Sequence, residues 1–165
     1  MLTGEVRNQI DRIWDQFWSG GISNPIEVIE QITYLLFMRR LDEIQTLEEL
    51  KAARTCKAVE RVIFPKGKDS KGTTYEKLRW SKFKNCEPRE MYEIVSEHVF
   101  PFLRALNGNG TSYARHMKDA RFTIPTPALL ARVVDLIDHV PMQDRDTKGD
   151  LYEYMLGSVL SRTRL

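Results

Sequence analysis

A chain of 165 residues that is 42% hydrophobic and 29% charged has the length and composition of one globular domain, which excludes disordered, collagen-like and repeat architectures. No apolar run approaches the roughly 20 residues of a bilayer span, and no basic stretch followed by an apolar one opens the chain, so neither membrane insertion nor secretion is expected. The formal charge of +2 conceals a segregation: residues 1–50 carry four basic and nine acidic side chains, residues 51–90 twelve and five, and residues 91–165 nine of each.

Helical periodicity dominates from the start. Val6, Ile10, Ile13, Trp14, Phe17 and Trp18 make an apolar stripe that predicts a helix over residues 3–19, ended by Gly20 and Gly21. Asn24 suits the N-cap of a second helix over 25–41, with Pro25 in its first position and Glu27 in its first turn. That helix is apolar on most sides, as a central helix is. Residues 42–62 read as a further, more polar helical stretch. Residues 64–87, which include FPKGKDSKGTTYEKLRWSKFKN, hold Pro65, Gly67, Gly72 and many lysines, and predict a long exposed basic loop, ordered around Trp80 and Phe83. Pro88 opens a helix to about residue 106, which Pro101 should kink or split. A turn at 107–110 and a short helical piece at 112–118 follow. Thr126 and Pro127 start a helix through His139, stopped by Pro141. A last amphipathic helix starts near Asp150. No strand pair is visible, so the expected fold is all-α, a helical bundle of about five to seven helices around a long basic loop.

The sequence offers little chemistry. His98, His116 and His139 are far apart and lack ligand spacing, so they read as surface or cap residues, and no metal site is expected. Gly108 and Gly110 follow no strand and read as a turn rather than a phosphate loop. Cys56 and Cys86 are too few for a disulfide scaffold and read as free, inert thiols of a reducing cytoplasm. The basic block carries two readings. It is a solvated loop that keeps the domain soluble, or a surface that displaces counterions from a nucleic-acid backbone through Lys66, Lys68, Lys71, Lys77, Arg79, Lys82 and Lys84. Tyr75, Trp80 and Phe83 within it read as anchors to the core rather than base-stacking platforms.

Four stretches together resemble the N-terminal helical domain of the modification (M, HsdM) subunit of type I restriction–modification enzymes. IDRIWDQFW, 10–18, looks like that family's opening helix, and NPIEVIEQITYLLFMRRLDE, 24–43, like its second. RWSKF, 79–83, resembles its tryptophan–serine element, and KGDLYEYMLG, 148–157, the stretch that leads into its catalytic domain. The resemblance implies a Rossmann-like adenine-specific DNA methyltransferase domain after Leu165, reached through a connector that includes Asp150, Leu151, Tyr152, Tyr154, Met155 and Leu156. It implies S-adenosylmethionine as the cofactor of that full-length subunit, none being expected in this chain. The implied partners are the specificity and restriction subunits and double-stranded DNA. The cofactor segment, glycine-rich loop and Asn-Pro-Pro-aromatic motif of the catalytic domain do not occur here, so no catalytic residue is assigned. The expected role is DNA clamping and assembly with the specificity subunit. The alternative is a standalone helical module that binds a restriction-system protein without touching DNA.

Overall fold

Gly4–Ser19 forms α1 in the computed structural model of the chain, which describes residues 4–60, 62–106 and 117–141. Helical spacing brings Val6, Ile10, Ile13, Trp14 and Phe17 to one buried side, and Trp18 stacks on Trp14 with ring centroids 6.5 Å apart. Gly21, at φ +98°, turns the chain away in a conformation that a side chain would strain. Asn24 then caps the next helix, its Oδ1 accepting the Ile26 amide at 3.0 Å.

From Pro25, α2 runs without interruption to Thr55. The boundary expected at residue 41 is absent, because no proline or glycine follows Pro25 within this helix and Asp42, whose polarity suggested a new start, is buried and paired. Beyond Thr55, Cys56 adopts φ +54°, and the Lys57 amide reaches back to the Ala52 carbonyl at 3.2 Å. That is a left-handed C-cap made without glycine.

Residues 64–87 are not one exposed loop. Tyr75–Leu78 forms a 3-10 turn and Trp80–Phe83 a single turn of helix, α3. Phe64, Leu78, Trp80 and Phe83 are buried, since each large apolar side chain gains more from leaving water than the chain loses by being ordered around it. The predicted helix after Pro88 is broken as expected, but one turn ahead of the proline. It consists of α4 (Pro88–Ile94), a π turn (Val95–Val99) and α5 (Phe100–Ala105). Pro101 has no N–H for the Glu97 carbonyl, so the ladder slips to a wider bond, Phe100 N–H to Val95. Thr126 caps α6, Pro127–Asp138, with its Oγ1 accepting the Leu129 amide at 3.2 Å.

The chain divides into two compact units, Met1–Thr33 with Ile124–Leu165, and Tyr34–Thr123. In the first, α1 packs on α6. A Cβ on Gly20 would stand 2.5 Å from Leu129 Cδ2, and Gln9 Nε2 donates to the His139 carbonyl at 3.3 Å. In the second, an aromatic chain links Tyr34, Phe100, Phe122 and Tyr92, with successive centroids 5.6, 5.1 and 5.2 Å apart. Among the described residues there is no strand, only an isolated antiparallel bridge between Lys68 and Thr74. The fold class is all-α, as the periodicity implied. The expected turn at 107–110, most of the helical piece at 112–118, and the last helix with Asp150, Leu151, Tyr152, Tyr154, Met155 and Leu156 lie outside the described residues.

Candidate functional site

The basic segment is organised around one buried cation. Arg79 was expected to face phosphate, but it is buried, and its guanidinium is already committed. Nε donates to Asp42 Oδ1 at 2.5 Å, Nη1 to Glu49 Oε1 at 2.8 Å and Nη2 to Thr46 Oγ1 at 2.9 Å. Glu76 Oε2 lies 3.6 Å from Nη1, and the Phe64 ring lies under the guanidinium, 5.9 Å from centroid to Cζ. Asp42, Thr46 and Glu49 are spaced four and three residues apart, which aligns them on one face of α2. The second oxygen of Asp42 accepts the Ser81 amide at 2.8 Å and so fixes the start of α3. Burial opposes the charged guanidinium, yet the Asp42 hydrogen bond and the surrounding carboxylates raise its pKa further. Arg79 is therefore a permanent structural cation. It orders the segment that carries the lysines and is withdrawn from the phosphate-facing set.

Two further anchors hold the segment that precedes it. Gln45, buried on α2, accepts both the Ile63 amide (2.7 Å) and the Phe64 amide (3.3 Å) with Oε1. Asp69 Oδ1 accepts the Lys71 and Thr73 amides at 3.0 and 2.9 Å, closing a tight loop; Gly67 before it and Gly72 within it have φ of +115° and +87°. Asp69 Oδ2 meets His98 Nδ1 at 2.6 Å, and His98 Nε2 meets Thr73 Oγ1 at 3.3 Å. A carboxylate only accepts, so Nδ1 carries the proton. His98 is thus a loop anchor rather than the surface residue its isolation in sequence suggested. Burial acts against the Asp69 carboxylate, but the Thr73 amide, the His98 ring and the Lys71 amide outweigh it and hold its pKa below the usual aspartate range. His139 is exposed and donates from Nδ1 to the Asp135 carbonyl at 2.7 Å, a cap role as expected.

The lysines divide by surroundings. Lys71 is exposed, and its Nζ donates at 3.2 Å to the Glu97 carbonyl, the group that Pro101 leaves without its helical partner. Lys77 and Lys82 are exposed and Lys84 is half-buried; Lys82 stands 3.9 Å from Glu76. Lys66 and Lys68 are exposed and line a cleft of about 880 Å³, together with Gln45, Glu49, Val59, Val62, Phe64 and Glu76 among others. Burial and the nearby Glu90 push the Cys86 thiol up, against the opposing Lys77, so it is a poor nucleophile. Among the described residues no cluster of His, Cys, Asp and Glu is arranged to hold a metal ion, and no helix is long and apolar enough to cross a membrane.

The sequence did not point to Asp42, Gln45, Asp69 or His98. Only the Asp-Ser-Lys-Gly run at 69–72 hinted at a side-chain-closed turn.

The described residues form an all-α domain with an ordered basic segment. The family described as HsdM N-terminal domain matches residues 6–137, and the chain belongs to it. It is therefore of the kind that forms the N-terminal module of the modification subunit in type I restriction–modification systems. No curated protein and no solved structure matches the chain.

Proposed function

We propose that this chain serves a DNA adenine methyltransferase subunit as an arm that holds duplex DNA and assembles with the specificity subunit. The observation that carries the reading is a lysine-bearing segment held rigid by a buried ion pair. Lys77 and Lys82, exposed, and Lys84, half-buried, lie on a stretch that Arg79 ties to α2, so little ordering is left to pay for on binding. Phosphate contacts of this kind fix a duplex in register without reading its sequence. Base-flipping chemistry needs that hold while the target is out of the stack.

In this reading S-adenosylmethionine supplies the methyl group in a separate catalytic domain. No residue of this chain is assigned a part in holding the cofactor, and no step of methyl transfer is drawn through its residues. The test is binding of a fluorescently labelled duplex by the full chain over a range of salt concentrations. Glutamate at positions 77, 82 and 84 together is expected to weaken binding and flatten its salt dependence; an unchanged slope would reject the assignment.

A further inference from the structure

The loop closed by Asp69 and the π turn bring together three side chains that anchoring leaves half explained. Asp69 Oδ2 meets His98 Nδ1 at 2.6 Å, and His98 Nε2 meets Thr73 Oγ1 at 3.3 Å. The carboxylate only accepts, so the ring proton sits on Nδ1, and in the neutral ring Nε2 is an acceptor. The Thr73 hydroxyl therefore donates to it. The Asp69 bond is enough to tie the loop to the helix. The Thr73 bond adds a hydroxyl whose proton already points at a base. Hydroxyl, imidazole and carboxylate in this order form the arrangement that turns a weak alcohol into a nucleophile. The His98 and Asp69 side chains keep only 10% and 16% of their surface, so water competes little for either bond. Thr73 is half-buried, which leaves it open to a small reagent. The set is also held still. Asp69 Oδ1 accepts the Lys71 and Thr73 amides, and Lys71 Nζ donates to the carbonyl of Glu97, the neighbour of His98, at 3.2 Å. His98 itself stands in the π turn, an irregularity of the kind that recurs at functional sites.

We propose that Thr73 is a self-modification site that takes up an acyl group from a small activated acyl donor, with His98 as the base. Thr73 Oγ1 forms the new bond to the acyl carbon, and its proton passes to His98 Nε2. The bond between the acyl carbon and the leaving group breaks with its electron pair on the leaving group. The ring then gives its proton to the leaving group or to solvent, and the product is an ester of Thr73. The amide of Thr73 is engaged by Asp69 Oδ1 at 2.9 Å, so it does not steady the oxyanion of the tetrahedral intermediate. The site is thus suited to one slow acylation rather than to turnover. Once esterified, Thr73 has no proton to donate to His98, and the loop that carries Lys71 loses one of its ties. The DNA reading uses none of these three residues, so the two stand or fall apart.

The experiment is incubation of the full chain with p-nitrophenyl acetate, with the acetyl groups located over time by peptide mass mapping. Alkaline hydroxylamine removes oxygen esters but not the amides of acetylated lysines, so it separates Thr73 from the nearby Lys68 and Lys71. Ser70, an exposed hydroxyl of the same loop, is the internal reference. General-base help is worth roughly 10²–10⁴-fold, so Thr73 should acetylate about tenfold or more faster than Ser70. Thr73→Ser should keep the fast reaction at position 73, and His98→Gln should slow it about tenfold or more. Thr73→Val should abolish the fast hydroxylamine-sensitive label altogether. Circular dichroism checks that each variant is folded; if His98→Gln does not fold, the serine and valine variants at 73 still decide. Acetylation of Thr73 no faster than that of Ser70 would overturn the proposal. So would a rate at Thr73 that a folded His98→Gln leaves unchanged, or a fast ester label that survives Thr73→Val.

Discussion

Arg79 and Asp42 lie 37 residues apart in the chain and meet at 2.5 Å with both side chains buried. Removing one member of such a pair leaves a charge without water and without its partner. Asp42→Ala should therefore destabilise the protein by roughly 3 kcal/mol in denaturant titrations. Asp42→Leu combined with Arg79→Met should lose less than the single change, because no charge remains stranded. A single variant as stable as wild type would mean that Glu49 and Glu76 suffice. Asp69 gives a second test, through pH. Its folded pKa is lowered, so its stabilisation is present above the unfolded aspartate value of about 3.9 and is lost as pH falls through the folded one. The gap in melting temperature between wild type and Asp69→Asn should be level above about pH 4 and shrink below it. A gap that ignores pH would deny the carboxylate charge any part in anchoring the loop to His98.

At the scale of elements, packing and backbone chemistry act in different places. The close approach of α1 and α6 depends on Gly20, where a Cβ would meet Leu129 at 2.5 and 3.0 Å and the Gln16 carbonyl at 3.0 Å. Gly20→Ala should thus lose about 1–3 kcal/mol to overpacking, and Leu129→Val in the same chain should recover part of it. Equal stability of Gly20→Ala and wild type in a denaturant titration would show that Leu129 can swing clear. The π turn is a backbone matter instead. Proline at 101 made a break legible in the sequence, but its position was not, because the unpaired group is the Glu97 carbonyl one turn earlier. Lys71 reaches that carbonyl from a loop 26 residues away, a connection no local pattern reports.

Across the whole molecule, charge is segregated rather than abundant. The excess of basic residues between 51 and 90 lies in a segment that the fold orders, with Arg79 subtracted from its free charge. Each phosphate that a lysine neutralises steepens the plot of log affinity against log salt by about 0.9. The glutamate triple at 77, 82 and 84 should lower that slope by roughly two to three. A smaller change would mean that fewer of the three touch the backbone.

The sequence by itself determined the helices that have strong local signals. The stripe of α1, the Asn24–Pro25 and Thr126–Pro127 starts, and the helix-only periodicity all follow from interactions within a few residues. It also marked the basic segment and, through the three family-like stretches that lie within residues 6–137, the family. Tertiary structure decided what the charges do. Arg79 reads as one more cation among lysines, and Asp42 as a helix start, until α2 and the segment before α3 come together. His98 looks isolated until the Asp69 loop folds onto it. The fate of a charged side chain depends on the desolvation and partners that distant residues impose, and a pattern read along one chain contains neither.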